Sequence, residues 1–240
     1  MRQRENSAVA ATIFPRIHNK EELIGLVGEI GFLPFFSNEA AGFSLEEIVS
    51  EECWYQGRWK GKVNWPAWEW KGEITRDKRL AYGKLFNKKA GFISLDWFPD
   101  FCNYRRDGYD FDARYEDGLS AYKDKLTMDY LEERDSCLSK ELREAGNYRK
   151  GGNKGFDTMI TRLQSQTYIT VTDFAYRTNR QGEVYGWGIA RYAKSETYWG
   201  AALCTSAYDR KPEESFERML TRLRSVLPDT DERVFTQLLK

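Results

Sequence analysis

Between Asn147 and Lys194 the chain sets eight bases, Arg149, Lys150, Lys154, Arg162, Arg177, Arg180, Arg191 and Lys194, against three acids, Asp157, Asp173 and Glu183. The local excess is +5 in a chain whose 37 basic and 37 acidic side chains cancel. Guanidinium and ammonium groups at this density can meet phosphate oxygens. Arg149, Lys150 and Lys154 lie in a glycine turn before a helical stretch, and Arg177 and Arg180 lie in a polar loop after it. The helical stretch itself offers Arg162, Gln164 and Gln166, side chains able to bond base edges. The expected chemistry is noncovalent contact with DNA or RNA. A basic face meeting an acidic protein partner is the alternative.

A second group is aromatic. Trp54, Trp59, Trp65, Trp68 and Trp70 are five of the eight tryptophans, interleaved with Arg58, Lys60, Lys62 and Lys71. Trp59, Trp65 and Trp68 are candidates for stacking unpaired bases. The alternative is that large rings anchor an irregular segment to the core. A third group, Asp107, Asp110, Asp112, Glu116 and Asp117, could supply a general base or oxygen ligands for a cation. It lacks the glycine and glutamate spacing of an EF-hand loop. Acids there also suit a helix N-terminus.

The single histidine, His18, excludes any site built on two imidazoles. The sequence has no C-x-x-C pair, Walker A, G-x-G-x-x-G or G-x-S-x-G segment. No metal site and no cofactor are expected. Gly186-Trp187-Gly188 belongs to a strand pattern rather than a phosphate loop. Zero net charge excludes a wholly basic nucleic-acid binder but not a basic patch.

The elements that must position these groups follow from periodicity. Asn19 with Glu22 forms a capping box for a helix through Leu23, Ile24, Val27 and Ile30, stopped at Gly31. Ser44 caps a short helix. Residues 53 to 70 are irregular, a helix is expected over 68 to 82, a basic turn over 84 to 89, and a short helix over 96 to 106. Residues 111 to 134 form one long helix or two stacked ones. Their apolar stripe runs through Phe111, Tyr115, Leu119, Tyr122, Leu126, Tyr130 and Leu131.

After a short helix over 140 to 145 comes a helix over 156 to 167, with Phe156, Met159, Ile160 and Leu163 on one face. Strands follow at 168 to 172 and 184 to 192, separated by the polar turn 177 to 183. Helix, helix, helix, strand, loop, strand is the order of a winged helix-turn-helix. Two more helices close the chain, one after Pro212 and one ending at Leu239.

The expected fold is therefore α+β and mostly helical. A winged helix-turn-helix over 136 to 194 stands between a helical, tryptophan-rich region, 1 to 135, and C-terminal helices, 195 to 240, in one compact unit. No internal repeat is evident. No run of apolar residues is long enough to span a bilayer, and the short run after Met1 is followed at once by Arg16 and His18. Cys53, Cys102, Cys137 and Cys204 are dispersed, as small buried hydrophobes are. The expectation is a cytoplasmic protein with no membrane contact.

Four short segments carry a family resemblance: Ala81-Tyr82-Gly83-Lys84, Ala90-Gly91-Phe92-Ile93-Ser94, Tyr115-Glu116-Asp117-Gly118-Leu119 and Val184-Tyr185-Gly186-Trp187. Together they resemble the AlkZ-related proteins, distant relatives of the AlkZ- and YcaQ-type winged-helix DNA glycosylases, over roughly residues 20 to 200. The resemblance implies a winged-helix architecture and DNA as partner. The glycosylases use two glutamines separated by one aliphatic residue to position the water that attacks the sugar. Gln164-Ser165-Gln166 has the Q-x-Q form, with Ser165 in the aliphatic place. A glycosylase acting on a flipped, damaged base is the corresponding enzymatic alternative.

Overall fold

The computed structural model describes residues 13–59 and 62–240, and the side chains of all of these but 58, 59, 62 and 63. Helix α1 (Lys20–Ile30) begins at Asn19, whose side chain accepts from the Glu22 N–H at 3.0 Å. Glu22 turns back to accept from the His18 N–H at 2.7 Å, so a second free donor is satisfied. Gly31 ends the helix at φ 99°, and a Cβ there would strike the Trp97 ring at 2.8 Å. Strand β1 (Phe32–Pro34) and helix α2 (Leu45–Ile48) follow. A 3-10 turn (Glu51–Cys53) and the short antiparallel pair β2 (Arg58–Trp59) and β3 (Lys62–Val63) lead to α3 (Pro66–Arg76), which carries Pro66 in its first turn.

Here the structure departs from the sequence expectation. Helix α3 stops at Arg76, and the expected basic turn is a hairpin of β4 (Ala81–Phe86) and β5 (Lys89–Ile93). Asn87 and Lys88 turn it at φ 44° and 64°. Two left-handed residues match the twist of the flanking strands, but Asn-Lys lacks the glycine that signals such a turn. The sheet order is β1-β5-β4, all antiparallel.

Helices α4 (Phe98–Arg106) and α5 (Phe111–Glu116) come next, and Gly118 at φ 73° separates α5 from α6 (Tyr122–Glu132). The expected stripe on α6 is turned around the helix. Tyr122 and Leu126 face outward, while Asp124, Thr127, Met128 and Leu131 are buried. A buried aspartate is tolerated because Arg162 comes to meet it. Strand β6 (Cys137–Leu138), α7 (Ser139–Ala145), α8 (Phe156–Ser165), β7 (Ile169–Thr178) and β8 (Val184–Lys194) follow, with sheet order β6-β8-β7. Four helices close the chain: α9 (Ser195–Trp199), α10 (Ala201–Cys204), α11 (Pro212–Val226) and α12 (Glu232–Leu238). Helix α11 lies on α4, where Tyr104 stacks on Phe216 at 4.7 Å and Asn103 Nδ2 donates to Ser215 Oγ at 3.0 Å.

The fold is thus α+β, with more helix than strand. It also contains a repeat that the sequence does not display. Apart from the 3-10 turn and the β2–β3 pair inserted between α2 and α3, the order α1-β1-α2-α3-β4-β5 recurs as α6-β6-α7-α8-β7-β8, and in each three-stranded antiparallel sheet the last strand lies between the other two. Helix α3 packs on β7 and helix α8 packs on β4, a reciprocal exchange like that across a two-fold axis. The same topology needs only the same succession of hydrophobic periods, not the same residues.

Among the described residues no helix is long and apolar enough to cross a membrane. All four cysteines are free and buried, as their dispersal in the sequence suggests.

Candidate nucleic-acid interface

The β7–β8 hairpin projects with its far end exposed. Its loop is closed by Asn179, whose Oδ1 accepts from the N–H groups of Gln181 and Glu183 at 3.0 and 2.9 Å. Ala175 faces Ile189, whereas Arg177 faces Tyr185, so β8 carries extra residues against β7. The bulge falls on Gly186-Trp187-Gly188, which is indeed a strand feature. Gly186 takes φ 77°. A Cβ on Gly188 would meet Tyr176 Cζ at 2.9 Å and Phe174 Cβ at 3.0 Å. Trp187 is thereby set edge-on to Trp65 at 6.3 Å and to Trp68 at 5.7 Å, and remains 47% exposed beside exposed Val184 and Tyr185.

The bases picked out from the sequence divide. Arg177 and Arg180 on the hairpin, and Lys150 and Lys154 before α8, are exposed and make no ion pair with another described residue. Lys154 offers its carbonyl to Lys123 Nζ at 3.1 Å. Arg149 stands 3.8 Å from Glu144. Arg162 is committed to Asp124, Nε to Oδ2 at 2.9 Å and Nη2 to Oδ1 at 2.5 Å, and the carboxylate raises the affinity of the guanidinium for its proton. Of the two remaining bases of the segment, Arg191 reaches Ser136 Oγ at 3.4 Å and Lys194 pairs with Glu132.

The two glutamines face the protein. Gln164 is 3% exposed: its Oε1 accepts from the Lys84 N–H at 3.2 Å, and its Nε2 donates to the Ile160 carbonyl at 3.2 Å. Ser165 Oγ donates to the Lys84 carbonyl at 2.8 Å. Gln164 is therefore a strut between α8 and β4. Gln166 follows the end of α8, and its Oε1 is buried with no hydrogen-bond partner among the described residues.

Trp65 and Trp68 stack at 4.7 Å with 25° between their planes, and both pack on the core. Phe35 meets Trp68 edge-on at 5.5 Å. The side chain of Trp59 and those of the neighbouring bases Arg58, Lys60 and Lys62 lie outside the described residues. Two of the acids at 107 to 117 have structural partners: Asp110 Oδ1 caps α5 at the Ala113 N–H, 2.8 Å away, and Asp112 lies 3.7 Å from Lys125. His18 is an exposed residue, 3.0 Å from Glu52.

Three roles were not read from the sequence: the exposed ring of Trp187, the burial of Lys71, and the bond from the Tyr176 hydroxyl to Glu69. Lys71 is 1% exposed. Its Nζ donates to the Trp68 carbonyl at 2.5 Å and lies 3.6 Å above the Trp68 ring and 4.4 Å from that of Phe174. Burial pushes its pKa down to about 7, against the upward pull of the Glu69 carboxylate. The available signal was helical spacing, since Ala67, Trp70, Lys71 and Ile74 share the buried face of α3.

The site is an exposed basic and aromatic hairpin laid against a tryptophan-bearing helix, in an α+β frame of repeated topology. The chain belongs to the AlkZ-related family, whose model matches residues 17–240. No match was found among curated proteins or among solved structures.

Proposed function

We propose that the chain binds DNA through winged helices, and that the β7–β8 hairpin is a wing that lies along the phosphate backbone. What supports the winged-helix reading is the order α6-β6-α7-α8-β7-β8, with β8 between β6 and β7. It extends the expected 136–194 segment back to α6, and residues 20–93 follow the same order around the inserted β2–β3 pair. The single observation that carries DNA binding is the hairpin end. There Arg177 and Arg180 stand exposed and without ion pairs among the described residues, next to exposed Tyr185 and Trp187. Guanidinium groups that hold no carboxylate can take phosphate at little desolvation cost.

In this reading Lys150 and Lys154 add contacts from the turn before α8, while Arg162 holds α8 to α6. Trp187 supplies the stacking surface, with Trp65 and Trp68 behind it. Membership of the AlkZ-related family supports a role in DNA binding or repair. A cytoplasmic setting belongs to the same reading. The test is a salt titration of duplex binding: a fall in log affinity with log salt supports the reading, and absent or salt-independent binding on several duplexes refutes it. Retention of a protein partner from nuclease-treated lysate, without duplex binding, would favour an interaction module.

A further inference from the structure

In a helix-turn-helix the second helix of the motif lies in the major groove, and its N-terminal residues meet the base edges. The helices in that place are α3 and α8, each just before the strands of a hairpin. Both are packed against the other repeat, α3 on β7 and α8 on β4. Glycine makes each approach close. A Cβ on Gly72 of α3 would lie 3.4 Å from Phe174 Cδ2, and one on Gly83 of β4 would lie 3.3 Å from Gln164 Oε1.

What these helices still show to solvent is poor in groups that read bases. On α8 only Asp157 and Thr158 are exposed, and Thr161, Arg162 and Ser165 are half-buried. Asp157 accepts from Arg143 at 2.6 Å, and its carboxylate carries the same sign as phosphate. Arg162 is held by Asp124, Ser165 Oγ donates to the Lys84 carbonyl, and Gln164 is buried. On α3 only Arg76 is exposed, 3.6 Å from Asp173, while Glu69 accepts from the Tyr176 hydroxyl and Glu73 pairs with Lys20 at 2.5 Å. The hydroxyls of Thr158 and Thr161 are left, and a hydroxyl bonds donor and acceptor edges alike.

We infer that the chain binds duplex DNA without reading its sequence, because both helices that could enter the major groove are held inside the frame. The inference rests on the DNA-binding reading and narrows its partner to duplex of any sequence. Contact is left to Arg177 and Arg180 on the β7–β8 hairpin and to Lys150 and Lys154 before α8. These donate to phosphate, which is the same at every base pair. The exposed ring of Trp187 adds no code, since every base offers a π face. A helix that reads bases gives its own site a preference of about a thousandfold or more over other DNA, and neither α3 nor α8 can supply one.

The experiment measures binding of the full chain to fully paired duplexes of equal length and unrelated sequence, at one salt concentration, and in parallel selects binders from a random-sequence duplex library. The expected result is dissociation constants that agree within about fivefold, the least that one read base pair contributes, and no enriched motif. A duplex, tested directly or recovered by selection, that exceeds its scrambled counterpart by more than this overturns the inference and leaves DNA binding standing. If no duplex binds, the inference falls together with the DNA-binding reading. Thr158→Ala/Thr161→Ala then tests α8 itself, and is expected to bind every duplex within about fivefold of the wild type. A larger loss, with the circular dichroism of the folded protein retained, places α8 against the bases and overturns the inference. The selection uses the unaltered protein, so it decides even if the double variant fails to fold.

Discussion

Arg162 on α8 grips Asp124 on α6 with two hydrogen bonds, and Asp124 is 1% exposed. The pair joins the two helices that flank α7 in the second repeat. It explains how an aspartate comes to lie on the buried face of α6, and it engages the guanidinium that the sequence offers for base reading.

Arg162→Ala strands that carboxylate in the interior. The expected loss is about 3 kcal/mol of folding stability, read by urea denaturation. The salt dependence of duplex binding, measured where the variant is folded, is expected to stay unchanged. A variant of wild-type stability would show that the pair does not hold α6 to α8.

Gln164→Leu removes the acceptor of the Lys84 N–H. A buried donor is left unsatisfied at a cost of about 1–3 kcal/mol, seen as a lower melting temperature. Gln164→Glu keeps an acceptor but buries a charge, and is expected to cost more.

The contrast between these residues indicates what the sequence could and could not convey. The helices α1, α4, α7, α8, α11 and α12 were legible, because caps and a 3.6-residue period are local signals. So were the β7–β8 pair and the exposed Arg177 and Arg180, since a polar turn between β-rich runs is local too. Strands β1 and β6 were missed at three and two residues, too short to show a period. The β4–β5 hairpin was missed because Asn87-Lys88 adopts left-handed angles without glycine. The burial of Asp124, Gln164 and Lys71 depends on partners 38, 80 and about 100 residues away (Arg162, Lys84 and Phe174), which no local pattern reports.

Lys71 gives a pH signature with a definite sign. Its folded pKa lies near 7, below the unfolded value of 10.5, so between these limits the unfolded chain binds more protons. Stability therefore rises with pH across that window, and the Lys71 penalty is fully present below about pH 7. Denaturant melts at pH 7, 8 and 9 are expected to show wild-type stability gaining on Lys71→Met by up to about 1.4 kcal/mol per pH unit. Parallel pH profiles for the two proteins would contradict this.

Trp187→Ala removes a half-exposed ring from the hairpin end. Folding stability is expected to change little, since much of the ring already meets water. Affinity for a duplex with an unpaired or missing base is expected to fall by about 1–3 kcal/mol, and affinity for a fully paired duplex by less. Fluorescence anisotropy on the two duplexes reads the difference, and equal losses on both would remove the stacking role.

The most direct measurement of the central claim is the slope of log affinity against log salt for a duplex, compared between the wild type and Arg177→Ala/Arg180→Ala. Both side chains are exposed on the hairpin and without ion pairs among the described residues, so the variant is expected to fold normally. The account predicts a steep wild-type slope that becomes shallower by about 2 in the double variant, about 0.9 for each phosphate that no longer meets a guanidinium. A wild type that binds without salt dependence, or a double variant with an unchanged slope, would contradict the assignment of the β7–β8 hairpin as a DNA-binding wing.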